Sequence, residues 1–160
     1  MKQQQVTHIL DETDIAILEQ LQRDCRQTVA QISQKVHLST SSCHRRIKAL
    51  EESGTIKKYV AKLSSKKLGY GVEFFVELSL ATQVEDAFEE FEEAVNKIPE
   101  VLECYLVGGQ YDYLLRVVAV DAEDYERIHR KSISSLPGVT RIQSILSLRT
   151  VKAGHGLPLS

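Results

Sequence analysis

The chain is poor in several things. Its 160 residues include three cysteines, one methionine, three prolines and no tryptophan. Cys25, Cys43 and Cys104 form no CxxC pair and leave one residue over, which excludes a disulfide framework and reads as three reduced thiols. His8, His37, His44, His129 and His155 lack the HExxH or Cys/His spacing that converges on zinc, so no metal and no other cofactor is expected. No apolar run nears the roughly 20 residues that span a bilayer, and Tyr113 to Val120, among the longest, is broken by Arg116. The opening MKQQQVTH has neither the apolar core nor the small-residue cleavage site of a secretory signal, which points to a cytoplasmic protein. No nucleophile with a neighbouring base and no phosphate loop is visible, so the chain does not read as an enzyme.

What remains is a globular composition, 42% hydrophobic and 26% charged, with enough apolar residues for a core. The net charge of -2 hides an asymmetry. Up to Leu68 there are 12 Lys+Arg against 7 Asp+Glu, and from Gly69 onward 8 against 15. A basic unit that meets phosphate, joined to an acidic one that avoids it, accounts for that split.

In the basic half, Asp11 can cap a helix with apolar Ile15, Leu18 and Leu21, helped by Ile17. Thr28 and Gln31 form a capping box for a second helix, whose Val29, Ile32 and Val36 share a face up to about His37. Ser39 or Thr40 then caps a third, with Cys43, Ile47 and Leu50 inward and Gly54 as its terminator. Two helices across so short a turn make a helix-turn-helix, whose second helix enters the DNA major groove. At 100° per residue Ser41, Arg45 and Lys48 fall opposite the apolar stripe, flanked by Ser42 and His44. Arg46 lies beside the stripe, where a phosphate contact or an internal salt bridge suits it better than base reading. Such a run of charge is equally the solvated side of a surface helix. The short turn, the absence of acids from Ser39 through Leu50, and the further basics Lys57, Lys58, Lys62, Lys66 and Lys67 favour double-stranded DNA. Alternation over Thr55 to Leu63 predicts a short strand or wing.

From Val72 the period changes to two: Val72, Phe74, Val76, Leu78 and Leu80 alternate with Glu73, Phe75, Glu77 and Ser79, as in a half-buried strand. A helix follows through Val84, Ala87, Phe88, Phe91 and Val95. Strands at Val101 to Val107 and Asp112 to Val120 flank a turn at Gly108 to Tyr111, then come a helix from Ala122 to Leu136 and a strand from Val139 to Thr150. The corners Ile98-Pro99-Glu100-Val101 and Leu136-Pro137-Gly138-Val139 echo each other 38 residues apart. Two βαβ units give a ferredoxin-like βαββαβ sandwich, with both helices on one face of an antiparallel sheet. Tyr113 to Val120 is apolar on both sides, so the other face needs a cover, most simply a second copy in a symmetric dimer.

Three stretches, LDETDIAIL (Leu10 to Leu18), STSSCHRRIKALEESGTI (Ser39 to Ile56) and CYLVGGQYDYLLRV (Cys104 to Val117), resemble the Lrp/AsnC family of transcription regulators in order and spacing. The resemblance implies an α+β chain: a winged helix-turn-helix over 1–63, a linker over 64–71, a βαββαβ effector-binding and oligomerisation domain over 72–153, and a tail over 154–160. It further implies a sequence-specific regulator whose assembly or DNA affinity responds to a small effector, usually an amino acid, and that forms homodimers and octamers. The other reading is an architectural protein that bridges DNA without a ligand. DNA contact falls to Ser39, Thr40, Ser41, Ser42, His44, Arg45, Arg46 and Lys48. Effector contact falls to Leu106, Gly108, Gly109, Tyr111, Asp112, Ser144, Ile145 and Ser147. In that turn, glycines at positive φ would offer amides to a carboxylate and Asp112 would attract an ammonium; alternatively the glycines close a hairpin that Asp112 caps. The chain departs from the family's usual pattern at Thr40, where proline is common, at Thr55, where an apolar residue is, and at Gly108, where a hydroxyl is common.

Overall fold

The computed structural model describes residues 10–154 and 156–159. Contacts divide the chain into two units, one holding the residues up to Lys62 and those from Lys152 onward, the other Leu63–Val151.

In the first unit, local hydrogen bonds set the helix starts. Helix α1 (Glu12–Arg23) opens on Asp11, whose carboxylate accepts the Asp14 amide at 2.8 Å while the Asp14 carboxylate accepts the Asp11 amide at 3.3 Å. Helix α2 (Val29–Lys35) opens on the anticipated Thr28–Gln31 box, with bonds of 3.2 and 2.8 Å. Helix α3 (Thr40–Glu52) is capped by Ser39, whose hydroxyl accepts the Ser42 amide at 3.2 Å. Between α2 and α3, His37 takes a left-handed φ of 54°. Ile17, Leu18, Ile32, Cys43, Ile47 and Leu50 form the core. On α1 the deepest apolar residue is Ile17; Ile15 and Leu21 are half-buried. After α3, residues 55–63 form no strand, contrary to the expected wing strand. Alternation makes a strand only where another strand accepts its ladder, and among the described residues every assigned strand lies in the second unit's sheet.

The second unit is an antiparallel sheet in the order β2-β3-β1-β4, built from β1 (Val72–Leu80), β2 (Val101–Leu106), β3 (Tyr113–Ala119) and β4 (Val139–Leu146). Helices α4 (Glu85–Val95) and α5 (Ala122–Ile128) pack on the face that carries Val76, Leu78, Tyr113, Leu115 and Val117. Two elements end earlier than the sequence pattern runs. Helix α5 gives way to a π-helical turn, His129–Ile133, where the Ser134 amide and hydroxyl both donate to the His129 carbonyl, at 2.8 and 2.9 Å. Strand β4 stops at Leu146 rather than Thr150 because its partner β1 begins at Val72; the last link is the Ser147 amide to the Glu73 carbonyl at 2.9 Å. Residues 64–71, read as a linker, hold a 3-10 turn at Lys66–Leu68 and extend the β1–β3 pairing by one bond, the Gly71 amide to the Val120 carbonyl at 3.1 Å.

The outer sheet face is less apolar than its alternation suggests. Phe75, Leu114, Tyr105 and Ile145 lie there, yet Arg116 crosses it, bridging Glu103 at 2.7 Å and Glu73 at 3.2 Å. Burial works against the Arg116 charge, but bonds and attraction from Glu103 and Glu73 outweigh it and hold the guanidinium above its ordinary range. The same hydrogen bond holds Glu103 below the usual carboxylate range.

Candidate functional site

Two surfaces carry the residues singled out by sequence, one on each unit. On α3, Cys43, Ile47 and Leu50 face inward, which leaves Ser41, His44, Arg45 and Lys48 exposed on the other side. Ser39 and Ser42 are spent on the cap, joined by a 2.9 Å hydroxyl bond, and the Thr40 hydroxyl meets that of Ser33 at 3.5 Å across the turn. Arg46 takes the second of its two options. Its guanidinium binds Asp11 and Asp14, each at 2.8 Å, and so fixes α3 against the start of α1. The Asp14 bond first, then the Asp11 bond, raises the Arg46 pKa above its usual value; the Asp14 amide foremost, then Arg46, holds Asp11 below the carboxylate range. The outward face therefore keeps an Arg, a Lys, a His and a Ser on a rigid, anchored helix, the donor set that suits base edges and phosphates.

On the second unit the turn between β2 and β3 differs from expectation. Neither Gly108 nor Gly109 is at positive φ, and a Cβ on either would meet nothing within 4 Å. Asp112 is buried: its carboxylate accepts the Leu80 amide at 2.7 Å and the Gln83 side chain at 2.6 Å, and so pins the turn to the end of β1. The carboxylate is thus turned toward β1 and Gln83 and makes no bond to the 108–111 turn. Beside this turn, on the outer sheet face, lies a cleft of about 250 Å³ lined by Glu77, Ser79, Gln110, Tyr111, Arg141 and Gln143. Pairing explains the grouping: Ser79 lies opposite Arg141 and Glu77 opposite Gln143, so four outward residues of two neighbouring strands stand together. Among the described residues, neither Glu77 nor Arg141 has an ion-pair partner. Of the effector residues expected from sequence, Tyr111 lines this cleft while Gly108 and Gly109 sit in the adjoining turn. The others are elsewhere. Leu106 faces the helix side; Ser144 also points there and meets the Tyr125 hydroxyl; Ile145 lies further along β4 and Ser147 just past its end, opposite the beginning of β1.

Comparison with known proteins joins the two surfaces. Residues 10–57 match a winged helix-turn-helix DNA-binding family, and residues 73–157 match the Lrp/AsnC ligand binding domain. The chain belongs to the Lrp/AsnC family. Relatives in that family include the proline dehydrogenase transcriptional activator of Rhizobium radiobacter, 41% identical over 91% of this chain and 94% of the relative. The glutamate uptake regulatory protein of Zymomonas mobilis is 38% identical over 94% of this chain and 91% of its own. Among solved structures, the L-Met complex of a transcriptional regulator from Neisseria meningitidis superposes with a TM-score of 0.89 at 38% identity, covering 94% of this chain and 97% of that one. This Lrp/AsnC chain is thus a DNA-binding transcription regulator with a ligand-binding domain, not an enzyme. No described helix is long and apolar enough to cross a membrane.

Within the family frame, sequence reading missed Glu77, Ser79, Gln110, Arg141 and Gln143 as one group. A signal existed for two of them. Glu77 and Ser79 are polar positions of a period-two strand that announces an outward polar face, whereas β4 carries polar residues on both faces. Which two strands lie side by side is invisible until the sheet order is known.

Proposed function

We propose that this regulator senses an α-amino acid in the cleft beside the β2–β3 turn and reads duplex DNA through Ser41, His44, Arg45 and Lys48. The observation that carries the reading is the pairing of Arg141 and Glu77, one cation and one carboxylate without ion-pair partners among the described residues, around a single polar cleft. An α-amino acid presents the complement, a carboxylate for the guanidinium and an ammonium for Glu77. At about 250 Å³ the cleft is smaller than the roughly 300–1,000 Å³ of drug-sized ligand sites, which fits one small zwitterion. The methionine-bound neighbour at 38% identity supports the same ligand class. Copies associate through the outer sheet face, where Phe75, Leu114, Tyr105 and Ile145 surround the Arg116 ion pairs, and dimers assemble further into octamers; the regulator works in the cytoplasm.

Calorimetry with a panel of free amino acids tests the pocket. One or more should bind, and Arg141→Gln should weaken that binding by about ten-fold or more, the worth of a charge-assisted hydrogen bond. Unchanged affinity in that variant removes the pocket; no binding by any amino acid at millimolar concentration moves the assignment to ligand-independent DNA bridging. On the other surface, Arg45→Ala should reduce operator affinity by about 1–3 kcal/mol without altering the oligomer seen by light scattering.

A further inference from the structure

After β4 the chain leaves the sheet unit, and from Lys152 onward it belongs to the helical one. We propose that the exposed side of α1 around Gln22 is a receptor site for the chain's own residues 156–159, the peptide Gly-Leu-Pro-Leu. Three observations carry this.

The Gln22 carboxamide is used twice on one residue: its Nε2 donates to the Leu157 carbonyl at 3.2 Å and its Oε1 accepts the Leu157 amide at 2.6 Å. An exposed glutamine on a helix ordinarily leaves both groups to water; here it closes a two-bond ring on a backbone, in the manner of a strand pairing. Gly156 is held at a φ of +98°, and a Cβ there would stand 1.9 Å from Gln22 Oε1 and 2.6 Å from its Cδ. Gln22 could swing aside for a larger residue only by giving up both hydrogen bonds. Leu159 then packs against the helical core together with Leu21, Val29 and Ile56. The site therefore reads backbone at one residue, demands glycine at a second and takes an apolar side chain at a third.

Such a contact needs little intrinsic affinity. A segment tethered by a short linker meets its receptor at an effective concentration in the millimolar range, so even a weak peptide site stays filled. The docked segment lies against one end of α1, whose opposite end is tied through Asp11 and Asp14 to Arg46 of α3, all within the helical unit. The docking rests on none of the DNA or effector chemistry above.

Hydrogen exchange on the full chain, without DNA or effector, tests it. The Leu157 amide should be protected by about ten-fold or more, the factor given by a closed population near nine in ten, and the protection should vanish in Gln22→Ala and in Gly156→Ala. Both substitutions lie at exposed positions, and unchanged circular dichroism shows that the fold is retained. An unprotected Leu157 in the unaltered chain, or protection that survives Gln22→Ala, overturns the site. To show that the segment is the chain's own, carbon-13-labelled chains are diluted into an excess of unlabelled ones. Nuclear Overhauser contacts between Leu159 methyls and the helical core should persist; their loss assigns the segment to a second copy and overturns the proposal.

Discussion

Among the described residues, the core cluster of the helical unit holds six buried apolar residues, Ile17, Leu18, Ile32, Cys43, Ile47 and Leu50, whereas that of the sheet unit holds thirteen, among them Phe91, Tyr113, Leu115 and Ile128. The smaller core is supplemented by polar devices: two capping boxes, a serine cap, and the Arg46 link to Asp11 and Asp14. In the sheet unit rings pack deeply, with Phe91 stacked on Tyr113 at 4.2 Å and Phe74 on Tyr125 at 3.6 Å. The difference teaches where each unit is vulnerable. A small helical domain depends on the ends of its helices, and a sheet with one covered face depends on that cover.

That contrast can be broken experimentally. The largest effect should come from Phe91→Ala, which empties a fully buried ring site and should cost about 3–5 kcal/mol in the unfolding of the sheet unit, measured by denaturant titration. If the cost is under a kilocalorie, the apolar cover is not what holds that unit. Next comes Arg46→Met, which removes the guanidinium bonded to Asp11 and to the 1%-exposed Asp14 and should destabilise the helical unit by about 3 kcal/mol. An equal loss in both units' transitions would show that the two units do not differ in this dependence. Thr28→Ala removes one half of a capping box and should cost the helical unit about 1 kcal/mol, seen as a lower melting temperature. The smallest change has the opposite sign. Gly108→Ala sits at an unstrained φ with open space around its Cβ and should stabilise the sheet unit by about 0.4–1 kcal/mol, whereas a loss would show that the turn needs glycine.

Much of the framework was legible because it is local. Thr28 and Gln31 are three residues apart, and any chain with that spacing before an apolar stripe can close the same box. The outward set Ser41, Arg45 and Lys48 follows from helical period alone. The β1 limits, Val72–Leu80, follow from alternation. Misreadings cluster where the deciding partner is far away. Residues 55–63 alternate like a strand but have no ladder to join among the described residues. Asp112 has the chemistry of an ammonium receptor, yet the Leu80 amide and Gln83, some thirty residues earlier, each bond one oxygen of its carboxylate.

The sequence by itself determined the two-part division of charge, the helix starts, the alternation of the strands and the helix that turns donors outward, since each depends on neighbours within one turn or one strand. Tertiary structure decided three other matters: that Arg46 is tied to Asp11 and Asp14, that Glu77, Ser79, Arg141 and Gln143 share one cleft, and that residues 156–159 return to α1. The physical reason is common to all three. A charge, a polar face or a short peptide is defined by what lies opposite it, and distant segments come to lie opposite one another only when cores and sheet order bring them there.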